Sequence, residues 1–328
     1  MEYSTTTNIR LNWLDWMKVI GMYLIVYGHF SSYGHKFIYT FSVPLFFMIS
    51  GFLFKKEENI RFFFKKNFYN LIVPMLILVT IIQIRFVVPL VIKGTFELSQ
   101  IPTIILGIIV GNQKILGSCW FIYTLFLIKI LQQIIQSSKR WKGLQIFVFI
   151  IFSGICILLS HLEIFAQNAI INTFLSYQFF VIGFMLKRYI SVFNKVMKIY
   201  QGVFVIIVAY LITYLCSKYN GYVWCYINDY GKSFALYLIG GLSGSTIIFV
   251  MSKFLDKVQS SLVTTISSGS IIILGLHYEL IKFFKISPEL DFLSAFLILI
   301  LFIPIIRICE KKAPILIGTY RIKKNNEC

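Results

Sequence analysis

Asp15, Lys18 and His29 lie in WLDWMKVIGMYLIVYGHF, a stretch that is otherwise almost wholly apolar. Ionisable groups inside a membrane-length apolar run are expensive, and they usually mark a pathway or a site. Lys18 and His29 are 11 residues apart. At 100° and 1.5 Å per residue they fall within about 20° of one helix face and roughly 16 Å apart along it. One stripe, Lys18, Met22, Ile25 and His29, thus carries an ammonium near one membrane face and an imidazole near the other. Imidazole titrates near neutral pH, so it can take a proton as general base or act as a covalent nucleophile. A plainer arrangement uses the same residues: Lys18 snorkels to the surface, Asp15 pairs with it at i+3, and His29 is an interfacial anchor.

Counting depth along neighbouring apolar runs adds company to His29. Runs near 70 to 92 and 262 to 283 rise in the same sense as the first, which puts Arg85 and His277 at the height of His29. Glu279 lies just beyond, and Trp120 opens a descending run on the same side. These five residues form one outer layer, each either part of a site or an interfacial anchor. A second concentration is KKEENIRFFFKKNFYN, residues 55 to 70, where cations alternate with aromatics. Such a segment either lies on anionic lipid or holds the phosphates of a cofactor by lysine point charges.

The elements that must position these residues follow from composition. The 328 residues are 58% hydrophobic and 13% charged, with a mean hydropathy of +0.81 and a net charge of +18. Soluble domains average about a quarter charged residues, so a soluble enzyme is excluded. The cations are spread between apolar runs instead of forming one patch, which favours lipid headgroups over nucleic acid as the anionic neighbour. Ten apolar runs approach the length of a span, near 13 to 32, 36 to 54, 70 to 92, 115 to 137, 144 to 161, 169 to 187, 200 to 217, 233 to 252, 262 to 283 and 289 to 308. Spans exposed to lipid must be helices or closed barrels, so the expected fold is an all-α polytopic bundle of about ten helices in one domain, residues 1–328. Residues 101 to 111 are apolar but too short to cross, and are expected to lie on the surface or re-enter. With the N-terminus inside, 21 Lys and Arg residues fall in inner segments and seven in outer ones, leaving Lys18, Arg85 and Lys129 within spans. That bias places both termini in the cytoplasm. The first run has no small-residue cleavage pattern and is expected to stay as a span. The six cysteines have no close metal spacing, and no metal site is expected. They read as buried free thiols, with a Cys216–Cys225 disulfide as the alternative if both face outside.

Trp13-Leu14-Asp15, then Lys18, then Gly28-His29 resembles the opening helix of acyltransferase family 3, whose pattern is a basic residue, ten residues, then His. Pro44-Leu45-Phe46-Phe47 and Ser50-Gly51-Phe52-Leu53 resemble the motifs of that family's second helix. Lys65-Lys66 followed by Pro74 is similar to its basic pair leading into the third helix, with Lys where Arg is common. Cys119-Trp120-Phe121 and Leu276-His277 are weaker echoes. The opening resembles the fucose 4-O-acetylase-like branch, with Ser42-Val43 where that branch often has His-Met.

The resemblance implies a multi-pass enzyme of the bacterial inner membrane that moves an acetyl or other short acyl group from cytoplasmic acyl-CoA, acetyl-CoA by default, to a hydroxyl of a surface-polysaccharide sugar. On that reading Lys65, Lys66, Arg61 and Ser50 bind the donor, and its pantetheine arm enters along the Lys18 stripe. His29 is the base, and Lys18 and Asp15 are catalytic residues with it. Arg85, Trp120, His277 and Glu279 face the glycan acceptor, stabilising the oxyanion or orienting the base. The alternative is an exporter or flippase of lipid-linked glycan, which also needs about ten helices and buried polar groups.

Overall fold

A computed structural model describes residues 10–30, 33–95, 97–189 and 198–320. Lys195, Arg321, Lys323, Lys324 and Cys328, used above for charge bias and thiol content, lie outside the described residues. Among the described residues the chain is helical, with two isolated bridges and no strands. An apolar run in lipid satisfies its own backbone by coiling. The helices are α1 (Asn12–Gly28), α2 (His35–Tyr39), α3 (Ser42–Phe52), α4 (Ile60–Asn67), α5 (Val73–Ile92), α6 (Gln100–Ile109), α7 (Gln113–Leu116), α8 (Trp120–Ser137), α9 (Trp141–His161), α10 (Asn172–Leu186), α11 (Ile199–Asn220), α12 (Phe234–Phe254), α13 (Ser261–Ser268), α14 (Ser270–Phe284) and α15 (Asp291–Lys312).

Among the described residues six helical stretches are long and apolar enough to cross a membrane, and the α13–α14 pair, bent by 83°, makes a seventh if it is taken as one span. Each of the ten apolar runs contains helix, but α1, α3 and α10 have only 17, 11 and 15 residues. The run 36 to 54 is shortened because the chain leaves the helix at Thr40–Phe41, between α2 and α3. Residues 101 to 111 form most of α6, a separate ten-residue helix. The described cysteines are all free and buried; Cys225 Sγ lies 2.8 Å from the Tyr237 hydroxyl instead of in a disulfide.

The bundle has two chemically distinct ends. At the basic end α1 begins, and α3, α8, α10 and α12 finish beside Lys55, Lys65, Lys66, Lys187 and Lys253. Polar clasps hold this end together. Trp13 N donates to Asp256 Oδ1 at 2.9 Å, Asn12 donates to the Asp256 carbonyl, Lys187 Nζ donates to the Phe54 carbonyl, and Gln133 exchanges two bonds with the Glu57 backbone. Inside the bundle Gln132 and Gln136 both donate to Gln145 Oε1, and Tyr177 donates to Gln132, linking α8, α9 and α10. Side-chain amides are the usual glue between helices that gain nothing from the hydrophobic effect in lipid. α3 and α10 approach until their backbones touch: a Cβ on Gly51 would collide with the Phe180 carbonyl, and one on Gly183 with that of Met48.

Candidate functional site

His29 is the C-cap of α1 and therefore sits at the far end of the bundle. Gly28 before it has no Cβ because the Tyr39 ring takes that place, with a ring carbon 2.8 Å from where the Cβ would be. The Tyr39 hydroxyl comes to 3.4 Å from His29 Nδ1. From the other side α14 brings His277, whose ring centroid is 5.0 Å from that of His29, and Tyr278, whose ring meets His29 edge-on at 5.7 Å. α14 reaches this place because Gly275 lets it press on Leu78 of α5, and because the Ser118 hydroxyl donates to the Gly275 carbonyl at 2.8 Å.

His277 is 1% exposed. Its Nδ1 is 2.8 Å from the Ile273 carbonyl and 3.1 Å from that of Leu274. Carbonyls only accept, so the single proton of the neutral ring belongs on Nδ1 and the lone pair on Nε2. Nε2 is buried with no hydrogen-bond partner. In this tautomer His277 can accept a proton donor and cannot donate from Nε2 to an oxyanion, which narrows the two roles expected for it to orienting the base.

The other expected residues separate into groups. Arg85 and Glu279 form an ion pair with each other, clasping α5 to α14. Glu279 follows His277 by two residues, about 200° around the helix, so this clasp lies on a different side of α14 from the buried histidine. Trp120 starts α8 half-buried, its ring edge-on to Phe121 at 6.1 Å. A cleft of about 440 Å³ opens at the far end, lined by Phe30, the residue after His29, with Tyr33, Lys285, Ser287 and Asp291. That volume is within the range of small-ligand sites.

Asp15 and Lys18 belong to the opposite, basic end, about 21 Å and 16 Å along α1 from His29 at 1.5 Å per residue. Both oxygens of Asp15 are taken by Arg10 (2.5 and 3.2 Å) and the Ser267 hydroxyl (2.5 Å), and Arg10 also donates to the Thr264 carbonyl. The i+3 pairing of Asp15 with Lys18 gives way to this clasp between α1 and α13. Asp15→Ala is therefore expected to cost about 1–3 kcal/mol of stability, the penalty for breaking a buried hydrogen-bonded group. A lowered melting temperature in detergent, with donor KM close to wild type, is the result to look for.

The cations of the basic end also divide. Lys66 pairs with Glu57 at 2.7 Å, while Arg61 and Lys65, one helical turn apart, share an exposed face of α4 with Phe63 buried behind them. Ser50 is half-buried near the end of α3. Lys18 stands half-buried below Met22 and Ile25, which are both buried. Three residues that join these groups were not assigned a role from the sequence. Tyr39 and Tyr278 touch His29 from segments with no periodic link to it. Lys129 is legible as a cation within a span, and its Nζ is 3.3 Å from Asn67 Oδ1 with Lys66 and Lys18 as charged neighbours. Among the described residues no group of three or more His, Cys, Asp or Glu is placed to hold a metal.

No match was found among curated proteins or among solved structures. The sequence profile of the acyltransferase domain of acyltransferase family 3, in contrast, covers residues 11–311, from the start of α1 to the last turn of α15. With apolar helices that can cross a membrane several times and a facing histidine pair at one end, this multi-pass membrane chain belongs to acyltransferase family 3.

Proposed function

We propose that the chain transfers an acetyl or other short acyl group from cytoplasmic acyl-CoA to a sugar hydroxyl of a bacterial surface glycan, with His29 as general base. The observation that carries this reading is the contact between His29 and His277 in a chain of an acyltransferase family. Both termini lie in the cytoplasm, so the basic end meets soluble CoA and the far end meets a lipid-linked or polymeric glycan. The host membrane is the bacterial inner membrane, and the acceptor chemistry is that of the fucose 4-O-acetylase-like branch.

In this scheme Arg61, Lys65 and Lys66 hold the donor phosphates at the basic end. The pantetheine arm follows the Lys18 side of α1, which requires Met22 and Ile25 to move, since both are buried. His29 donates Nδ1–H to the Tyr39 oxygen, leaving Nε2 to take the proton. The acceptor oxygen attacks the thioester carbonyl as its proton passes to His29 Nε2. The tetrahedral adduct collapses, the C–S bond breaks, and the CoA thiolate recovers that proton. His277, an acceptor at Nε2 with its ring against that of His29, favours the imidazolium charge and holds that ring in place, leaving the Nε2–H of His29 to pass to the thiolate.

Detergent-purified protein with labelled acetyl-CoA and a lipid-linked glycan tests the proposal, because the product forms without a compartment to cross. Glycan that is moved across vesicles but never labelled would instead identify an exporter. In the same assay Lys65→Ala with Lys66→Ala is expected to raise donor KM about tenfold, the loss of roughly 1.4 kcal/mol of binding, with less change in kcat. An unchanged donor KM would remove the lysine pair from the donor site.

A further inference from the structure

The far end holds two buried side chains whose hydrogen-bonding groups are unused. Gln113, the first residue of α7, is 3% exposed and neither its Oε1 nor its Nε2 has a partner. Asn172, the first residue of α10, is fully buried, and both its Oδ1 and its Nδ2 are likewise without one. The Gln113 segment is paired antiparallel with residues 167–169, just before α10: Gln113 N donates to the Gln167 carbonyl at 3.1 Å, and Ala169 N donates to the Gly111 carbonyl at 2.8 Å. Gln167 adds a further buried, unpartnered amide oxygen. Buried polar groups are nearly always paired, so a concentration of unpaired ones calls for a ligand or water.

The Gln113 segment is tied to the two helices nearest the histidine pair. It is bound to α5 by Gln83 Nε2, which donates to the Ile115 carbonyl at 2.7 Å, and to α14 by Ser118 on the Gly275 carbonyl, two residues before His277. On α10, Asn172 shares a face with Ser176 and Phe179 by i, i+4, i+7 spacing, and Phe179 packs edge-on to Tyr237 of α12 at 5.6 Å. Asn172 therefore lies on the face that α10 turns to the bundle interior.

The chemistry of the pair selects its ligand. Each amide offers a donor and an acceptor. An anion would need donors only, and a cation acceptors only. A sugar hydroxyl donates and accepts at once, and neighbouring hydroxyls on a ring present that pattern twice. We infer that Gln113 and Asn172 form a neutral subsite that binds hydroxyls of a sugar unit of the acceptor next to the His29–His277 centre. This rests on the acyl-transfer reading above, and supplies an acceptor contact that Arg85 and Glu279, already paired with each other, do not provide.

The test uses the full chain in membranes of its own host, where the native acceptor is present, with labelled acetyl-CoA as the probe. Gln113→Met and Asn172→Leu keep the side-chain size and remove the polar atoms. Replacing unpaired buried amides by apolar groups does not destabilise an unliganded protein. The double variant is expected to put at least about tenfold less label into glycan, the loss of about one good hydrogen bond to an uncharged group. Its acetyl-CoA KM and melting temperature should stay at or above wild-type values. Wild-type labelling by the double variant would overturn the subsite and leave ordered water as the partner of these amides. A marked fall in melting temperature would overturn it equally, by showing that the amides are paired within the protein. A wild-type chain that labels no glycan would instead overturn the acyl-transfer reading itself.

Discussion

His29→Ala is expected to lower acyl transfer by about 10²–10⁴-fold, the usual contribution of a positioned general base, while acetyl-CoA still binds. The two effects separate because the proposed donor cations are on α4 at the basic end, whereas His29 caps the far end of α1, roughly 16 Å beyond Lys18 by helical rise. His277→Ala is expected to lower kcat, by less than the His29 substitution, and to leave donor KM near wild type. The reason is the fixed tautomer: its Nδ1–H is committed to the Ile273 and Leu274 carbonyls, so only Nε2 can act, and it acts on the ring beside it. His277→Gln, which keeps an acceptor in the side chain, should recover part of the rate. Purified protein, labelled acetyl-CoA and glycan give all three numbers. Wild-type turnover in His29→Ala would dismiss it as the base. Equal loss in His277→Ala and His277→Gln would mean that the second ring serves packing alone.

The sequence made the heights of these residues legible but not their plan. Counting along the helices put His29, Arg85, His277, Glu279 and Trp120 in one outer layer, because rise per residue is constant. Which of them meet depends on helix azimuth and packing. The fold pairs His29 with His277 and Arg85 with Glu279, and sets Trp120 against Phe121. Spacing could not reveal this, since the determining contacts, such as Gly275 on Leu78 and Ser118 on the Gly275 carbonyl, join residues far apart in the chain. The same holds at the basic end. Asp15 has a lysine at i+3, yet its partners are Arg10 and Ser267, the latter brought in by α13. Gln113 and Asn172 gave no signal because isolated amides beside loops are ordinary in any sequence. Their orphaned atoms become visible only when the chain closes over them.

The α3–α10 crossing carries the prediction with the largest structural effect. Pro44 to Leu53 drew notice as a family-like motif, and the geometry supplies a physical reason for its glycine. At Gly51 an added methyl would meet the Phe180 carbonyl, and at Gly183 it would meet that of Met48, so each glycine faces the other helix's backbone. A rotamer change cannot relieve such a contact; the helices must separate. Overpacking of a close-packed core usually costs about 1–3 kcal/mol when side chains can adjust, and here the obstacle is main chain. Gly51→Val and Gly183→Val should each lower the melting temperature strongly, and the double variant should fail to give a monodisperse peak on size exclusion. Gly154→Ala, in α9 with open space around the new methyl, is the matched control. It should hold or gain about 0.5–1 kcal/mol, as alanine does over glycine within a helix. The crossing lies at the basic end: Gly51 is in the last turn of α3 and Gly183 in the last turn of α10, whereas Tyr39 precedes α3 and Asn172 begins α10. Helices forced apart there lose packing before they disturb the His29 site, so Gly183→Ala should lose stability first and transfer only in proportion to it. A Gly183→Ala protein as stable as wild type would show that the backbone contact does not fix how these two helices pack.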